Sequence, residues 1–366
     1  MRKLTNMKEH ICSWDNLVGA YKDAARYKRY RTDVLSFTQN LESNLLDIKR
    51  DLENRQYTVG PYREFYVSYP KRRLVMALGF RDRIVQWAIY RQINPFIDKR
   101  YIEHSFGCRK GKGTLAAAQQ LHHWMKMISR KPNAKDWVIL KCDVAKYFYR
   151  VDHKTALDIY ANYINDEWLM WLLGEIINNR DVPFGLPEGM SISECPRSER
   201  LFDVGMPIGN LTSQETANLY LNEVDQYAKH VLKIKHYIRY MDDTIIIVDS
   251  RKKAEHIRTS IEAFMKERLK LSMNKKTVIL PLSHGCEFVG YRVTIHGLRL
   301  RKKTTQHIKR ALKRTQKLYS RGEIDQDKAF ATIHSYLGMC KHINGYNVQR
   351  WIAENVVLRR EAEADG

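Results

Sequence analysis

His236-Tyr-Ile-Arg-Tyr-Met-Asp-Asp-Thr-Ile-Ile-Ile-Val248 is the stretch whose reading decides the fold. Two β-rich runs, residues 236–240 and 244–248, flank Met241, Asp242 and Asp243, which is the pattern of a hairpin carrying two adjacent acids at its tip. Asp-bearing turns are common. These two acids, however, sit between strands apolar enough to be packed, where like charges repel unless a cation neutralises them. A divalent ion relieves that repulsion, and hard carboxylate oxygens favour Mg²⁺ or Mn²⁺ over a softer metal.

Working outward, residues 138–153 hold a short apolar run, Val138-Ile139-Leu140, that reads as a buried strand ending at Asp143. An Asp after a strand often caps a helix, but strand ends are also where open α/β sheets place their chemistry. Asp143 at one strand end and Asp242 with Asp243 at a hairpin tip suit two metal ions about 3.5 to 4 Å apart. One ion would activate a primer 3′-hydroxyl, and the other would hold a triphosphate and its leaving pyrophosphate. That is the chemistry of nucleotidyl transfer.

The composition agrees with such a substrate. Among 366 residues, 63 Lys and Arg face 41 Asp and Glu, a net charge of +22 that points to a polyanionic partner. With 44% hydrophobic residues the chain can bury a core. No window approaches the roughly 20 apolar residues of a membrane span. Met1 to His10 is polar and lacks the apolar core of a signal peptide, so a cytoplasmic protein is expected. Cys12, Cys108, Cys142, Cys195, Cys286 and Cys340 are scattered, against a zinc knuckle or a disulfide framework.

No solenoid repeat or low-complexity linker interrupts the chain. Residues 14–55 read as helices with Ser13 as N-cap and a basic stretch through Lys22, Arg26, Lys28, Arg29 and Arg31. Phe65 to Met76 is β-like, Asp82 to Phe96 is helical with Pro95 ending or kinking it, and residues 183–207 are irregular. Thr212 and Glu215 fit a capping box opening a helix that runs to about His230, and Gly209 permits close backbone approach. Residues 299–321 contain ten Lys or Arg and no acid, several at helical spacing, with Ile308, Leu312 and Leu318 for the opposite face. Such a helix suits phosphate contacts without base specificity.

Tyr240-Met241-Asp242-Asp243, together with Asp143-x4-Phe148, resembles the palm of reverse transcriptases, and the neighbouring blocks follow in that family's order. The resemblance implies an α+β right-hand polymerase fold, with fingers and palm built from an antiparallel sheet packed on helices, and a helical thumb. It implies metal ligation by Asp143, Val144, Asp242 and Asp243. Residues 70–83, Pro-Lys-Arg-Arg-Leu-Val-Met-Ala-Leu-Gly-Phe-Arg-Asp-Arg, resemble the fingers block, which puts Arg73 and Lys71 on the incoming triphosphate. Ser105 to Thr114 resembles the next block of bacterial retroelement enzymes, although Lys110 and Lys112 also suit a solvated turn. Phe148 matches the ring that collides with a 2′-hydroxyl, so deoxynucleotides are expected, while Tyr147 reads as core. Leu271 to Thr277 resembles the block whose lysine protonates pyrophosphate, here Lys276 with Lys275 adjacent. Gly285 to Tyr291 resembles the primer grip, a β-hairpin. Arg301, Lys302, Lys309, Arg310, Lys313 and Arg314 would track a duplex as part of the thumb, whose later block Ser335 to Asn347 resembles.

Gly205-Met-Pro-Ile-Gly-Asn-Leu-Thr-Ser-Gln214 discriminates among subfamilies. Most reverse transcriptases have Gln before this glycine, near the templating base and incoming nucleotide. Here Ile208 precedes Gly209, and the Ile-Gly-x3-Ser-Gln form through Gln214 is similar to that of diversity-generating retroelements. That resemblance implies error-prone copying opposite template adenines, a cognate structured RNA, an RNA–DNA duplex product, and a small basic helical accessory protein. A partner reverse transcriptase or a homo-oligomer is an alternative assembly.

Likeness extends over roughly residues 14–351, with an N-terminal helical extension at 1–60, fingers and palm at 61–297, and thumb and tail at 298–366. It leaves no room for an RNase H, endonuclease or long maturation domain, which disfavours a mobile group II intron protein. Residues 187–204, with Cys195, Arg197 and Arg200, form an insertion that suits an RNA or partner contact and gives weight to an anti-phage defence enzyme as the alternative role. A non-catalytic RNA-binding scaffold is the other function class, and it needs no paired acids.

Overall fold

The computed structural model describes residues 3–68, 72–178, 183–187 and 189–360, so Lys71 lies outside the described residues. In chain order the elements are helices α1 (Met7–Cys12), α2 (Trp14–Ala25), α3 (Thr32–Gln39) and α4 (Leu41–Glu53), then strands β1 (Arg63–Val67) and β2 (Arg73–Ala77). Next come α5 (Phe80–Ile97), α6 (Thr114–Ile128), β3 (Val138–Asp143), α7 (His153–Tyr163), α8 (Glu167–Ile177) and α9 (Leu211–Gln226). The chain continues through β4 (His236–Tyr240), β5 (Asp243–Val248), α10 (Arg251–Leu269), β6 (Val278–Pro281), β7 (Cys286–Phe288), β8 (Tyr291–Thr294) and β9 (Gly297–Leu300). It closes with α11 (Lys302–Ser320), α12 (Gln326–Cys340) and α13 (Tyr346–Asn355). Helices mix with antiparallel sheets, as the α+β expectation requires. Among the described residues no helix is long and apolar enough to cross a membrane. All six cysteines are unbridged thiols.

The chain divides into two units. The first comprises residues 1–111, 142–235 and 257–277. Ser13 caps α2 as predicted, its hydroxyl accepting from Asn16 N at 3.3 Å, and Leu17, Ala20 and Ala24 recur at helical spacing as the buried face. The basic stretch beyond α2 is not helical. Residues 26–31 form an exposed turn with Tyr27 at φ +60°, and Tyr27 and Tyr30 are 89% and 76% exposed. Crowded cations with no aliphatic residue to bury give a helix nothing to hold there. α5 runs two residues past Pro95, whose missing N–H falls in the last turn. β1 and β2 pair antiparallel from Arg63 opposite Ala77 to Val67 opposite Arg73.

α9 is buried along almost its whole length although more than half its residues are polar. Those groups find partners: Asn218 Nδ2 donates to Gly107 O at 3.0 Å, and Tyr220 Oη to Leu269 O at 2.7 Å. The capping box read from Thr212 and Glu215 does not form. Asn210 is the N-cap, and the open N–H of Leu211 is met by Gln86 Oε1 of α5 at 3.1 Å. Glu215 turns inward instead. Neither carboxyl oxygen has a hydrogen-bond partner, and burial pushes its pKa up to about 8.

The second unit comprises residues 112–141, 236–256 and 278–366. Its main sheet has the order β4-β5-β3-β6, and a second sheet the order β7-β8-β9. Ile139, Leu140, Tyr237, Ile238, Ile245, Ile246 and Ile247 are buried. The rings of Trp124 of α6 and Trp137 lie 5.2 and 6.0 Å from His236 at the start of β4. The segment from Gly285 to Tyr291 is a hairpin as expected, with Val289 and Gly290 at φ +43° and +97° closing β7 onto β8.

Glu215 sets a pH dependence of stability. A carboxyl whose folded pKa is about 8 against an ordinary 4.5 keeps its proton in the folded state while the unfolded chain loses it. Wild-type stability should therefore fall relative to Glu215→Gln as pH rises through that interval, by up to about 1.4 kcal/mol per pH unit. Denaturation curves at pH 5 and pH 8 check this, and a stability difference that does not change with pH would contradict it.

Candidate active site and nucleic-acid interface

The β4–β5 hairpin closes on the pair Tyr240 and Asp243, leaving Met241 and Asp242 as a two-residue loop. Met241 takes φ +53°, the left-handed geometry that brings a right-twisted pair of strands round in two residues. Asp242 ends at the tip and Asp243 opens β5, both half-buried. Beneath them lies Arg239, 1% exposed, whose Nη1 donates to the Met241 carbonyl at 3.0 Å. On β3, Lys141 reaches 3.8 Å from Asp243 Oδ1 and donates to Glu287 O at 2.7 Å. Sequence reasoning passed over both cations. Alternation along β3 was the available signal for Lys141, since residues 141 and 143 share a face.

Asp143 is the last residue of β3, the strand beside β5 in the sheet order. Its carbonyl accepts from Asn274 N at 2.7 Å, Val144 bridges Met273, and Ala145 N donates to Ser272 O at 2.9 Å. These bonds fasten the 271–277 segment along the backbone that follows Asp143. Asn274 also turns the chain, its Oδ1 accepting from Lys276 N at 3.1 Å. Lys275 and Lys276 are both exposed, and Lys275 lines a cavity of about 330 Å³ with Lys146, Arg150 and Gly189.

In the first unit, Phe148 packs with Ile208, Tyr62, Tyr149 and Ile192 around Leu74, Met76 and Phe184. Tyr147 is core, buried with its hydroxyl on the Ala217 carbonyl. Ile208 O accepts from Met76 N at 3.0 Å. Gly209, at φ +118°, lies so near β2 that a Cβ would meet Val75 Cγ1 at 3.0 Å, so the close approach predicted for it is real. Arg73, which opens β2, is exposed. Gln214 is exposed, its Oε1 3.6 Å from Cys108 Sγ.

The donors at the strand end and hairpin tip are hard oxygens, the kind a small divalent cation takes. Among the described residues no three His, Cys, Asp or Glu side chains converge as a preformed cage. An ion that draws part of its shell from substrate phosphates and water needs none, so the donors fit it in kind.

A family model described as reverse transcriptase (RNA-dependent DNA polymerase) matches residues 68–293, more than half of the sequence. The chain belongs to the reverse transcriptase family. Among curated proteins it is similar to the group II intron-encoded protein LtrA of Lactococcus lactis subsp. cremoris and to that of strain MG1363, 20% identical over 320 residues in each case. Those alignments cover 69% of this chain and 50% of the relatives, so the chain spans about half their length.

In this reverse transcriptase-family chain the basic stretch of residues 299–321 is mostly α11. Ile308 and Leu312 are buried with Cys340, Val348 and Ile352. Thr315, rather than Leu318, completes the inner face, its hydroxyl bonded to Ala311 O at 3.0 Å. Lys302, Arg310, Lys313 and Arg314 are exposed. Two of the six expected contact residues are engaged within the protein: Arg301 pairs with Glu287 at 3.7 Å, and Lys309 lies 4.7 Å over the Trp351 ring.

This division of faces sets two neighbouring residues apart. Leu312→Ala is expected to cost about 2 to 5 kcal/mol of stability. Lys313→Ala is expected to change it by less than about 0.5 kcal/mol. Chemical denaturation of the two variants compares them, and equal losses would refute the inward face of α11.

Proposed function

We propose that the chain is an RNA-directed DNA polymerase that copies a cognate structured RNA into cDNA from dNTPs. One observation carries the reading: two adjacent acids at the β4–β5 turn, with a third ending the strand next to β5 in the sheet. Family membership supports it. In this reading the β3–β5 region is the palm, the β1–β2 hairpin belongs to the fingers, and α11 to α13 form the thumb. Asp143, Asp242 and Asp243, with the main chain of Val144, would hold a pair of Mg²⁺ or Mn²⁺ ions. Such ions supply charge neutralisation at the triphosphate and acidify the primer hydroxyl.

The remaining roles fall to side chains and main chain. Arg73 and Lys71 take the triphosphate, and Lys276 gives the pyrophosphate its proton. Phe148 stands under the sugar, while Ile208, Gly209 and Gln214 border the nascent pair. Lys302, Arg310, Lys313 and Arg314 contact the phosphates of the RNA–DNA duplex, joined by Arg301 and Lys309 once their internal partners are exchanged.

The apolar packing of Ile208 supports an error-prone enzyme of a diversity-generating retroelement, since that side chain offers the nascent pair no hydrogen bond. A cytoplasmic enzyme working with a small basic accessory protein, a second reverse transcriptase or another copy of itself suits that role. The second reading is an anti-phage defence enzyme making a dedicated or repetitive DNA product. The long segment at residues 187–204, part of it against the Phe148 cluster, favours that reading.

The protein purified with its retained RNA, Mg²⁺ and four dNTPs should yield cDNA with errors concentrated at template adenines. Asp242→Ala and Asp243→Ala should each abolish synthesis while leaving RNA affinity within about twofold. Faithful or repetitive cDNA would move the role to defence, and RNA binding without synthesis would leave only a scaffold. Phe148→Ala should admit ribonucleotides, measured as the ratio of kcat/KM for dNTP and rNTP falling by at least about tenfold. An unchanged ratio would remove Phe148 from sugar selection.

A further inference from the structure

The segment Phe184–Met206 is built into the wall that carries Phe148. Met206 N donates to Phe148 O at 2.6 Å, Leu186 N to Tyr149 O at 3.2 Å, and Gly205 N to Val151 O at 2.7 Å. Arg150 Nη1 returns a bond to Leu186 O at 2.7 Å. A reciprocal pair of backbone bonds between Gly185 and Leu201, both 3.0 Å, draws the segment into a closed strap.

The far side of the strap holds the β1–β2 hairpin. Arg200 is buried, and its Nη1 lies 3.4 Å from Oε2 of Glu64 on β1, while Arg197 approaches Oε1 at 3.8 Å. Between strap and hairpin stands Tyr149. Its ring stacks on Phe184 at 4.7 Å and packs against the cluster that holds Met76 and Leu74, the residue after Arg73. The Glu64–Arg200 pair is only half made. Glu64 Oε1 and Arg200 Nε are both buried and neither has a hydrogen-bond partner. A buried guanidinium and carboxylate gain most from a two-bond fork, so this pair favours any movement that brings β1 closer to the strap. β2 moves with β1 through their ladder, and Arg73 moves with β2.

We infer that Arg200 is a positioning residue for nucleotide binding, holding the β1–β2 hairpin through Glu64, with Tyr149 as a second tie, so that Arg73 is set against the Phe148 wall. This rests on the polymerase reading above. It makes the 187–204 insertion part of the nucleotide pocket's support rather than a separate appendage.

The test measures KM for dNTP and kcat on a primed RNA template, together with amide hydrogen exchange in residues 63–67 and 73–77. Arg200→Met and Glu64→Gln are each expected to raise KM for dNTP about tenfold with kcat within about twofold. Both should speed exchange in the hairpin and leave primer–template affinity unchanged. The double variant should be no worse than either single one, and Arg200→Lys should recover part of the loss. If Arg200→Met loses its cooperative melt, the isosteric Glu64→Gln carries the test. A KM and an exchange rate unchanged in Glu64→Gln overturn the inference, as does a double variant whose losses multiply. A wild-type chain that makes no DNA sinks the polymerase reading instead, and hairpin exchange in the same variants then decides the role of Arg200 alone.

Discussion

Two residues are all that separate the paired strand ends Tyr240 and Asp243, and that shortness governs the site. A loop so tight needs a residue in the left-handed region, and Met241 supplies it at φ +53° despite the roughly 1 to 2 kcal/mol that a side chain loses there. The turn persists because its surroundings over-determine it. The Arg239 guanidinium holds the Met241 carbonyl from below, and the buried isoleucines of β5 fix the register from the strand side. A slip of one residue would exchange the two faces on which those isoleucines pack and take both acids off the turn. Packing in the hairpin therefore dictates where Asp242 and Asp243 stand.

Charge is handled differently at two acids of this chain. Asp243 stays half-exposed with the Lys141 ammonium 3.8 Å away, so its negative charge has a counterpart. Glu215 has none within hydrogen-bonding reach, and burial answers by holding the proton on. The first arrangement sets an acid beside an ammonium, and the second removes a charge from the surroundings of α9. A nearby ammonium or its absence separates an acid with a counter-ion from one that is only tolerated.

Much of the fold was legible because its signals are local. An apolar run pointed to β3, two β-rich runs to β4 and β5, and a Ser before a helical stretch to the cap of α2, while the β7–β8 hairpin followed from the resemblance of residues 285–291 to a primer grip. What the sequence hid depended on partners distant in the chain. Gln86 takes over the N-terminus of α9, so the Thr212 and Glu215 pattern has no task as a cap. Arg239, Lys141 and Tyr149 acquire meaning only through what they touch, and each was passed over for that reason. Residues 26–31 failed oppositely: helical neighbours on both sides suggested continuity, while crowded cations without an aliphatic face prevented it. The irregular stretch 183–207 was recognisable as irregular, but its backbone bonds to residues 148–151 were beyond any reading of periodicity.

The basic excess needs the same discrimination. A net charge of +22 suggests a polyanion, yet many of the cations behind it are structural. Arg109, beside the Lys110 and Lys112 that also suit a solvated turn, is tied to Asp98 at 2.6 Å and to the carbonyls of Ile102 and Ser105. Arg81 holds Asp51 and Arg91 holds Asp23, at 2.7 and 2.6 Å. On α11, by contrast, Lys302, Arg310, Lys313 and Arg314 stand exposed on a helix that contains no acid at all. Like charges at helical spacing repel and cost the isolated helix stability, and the buried Ile308 and Leu312 offset that cost. Unlike Arg109, Arg81 and Arg91, these cations have no carboxylate on their own helix to offset them, and the apolar face alone carries that cost.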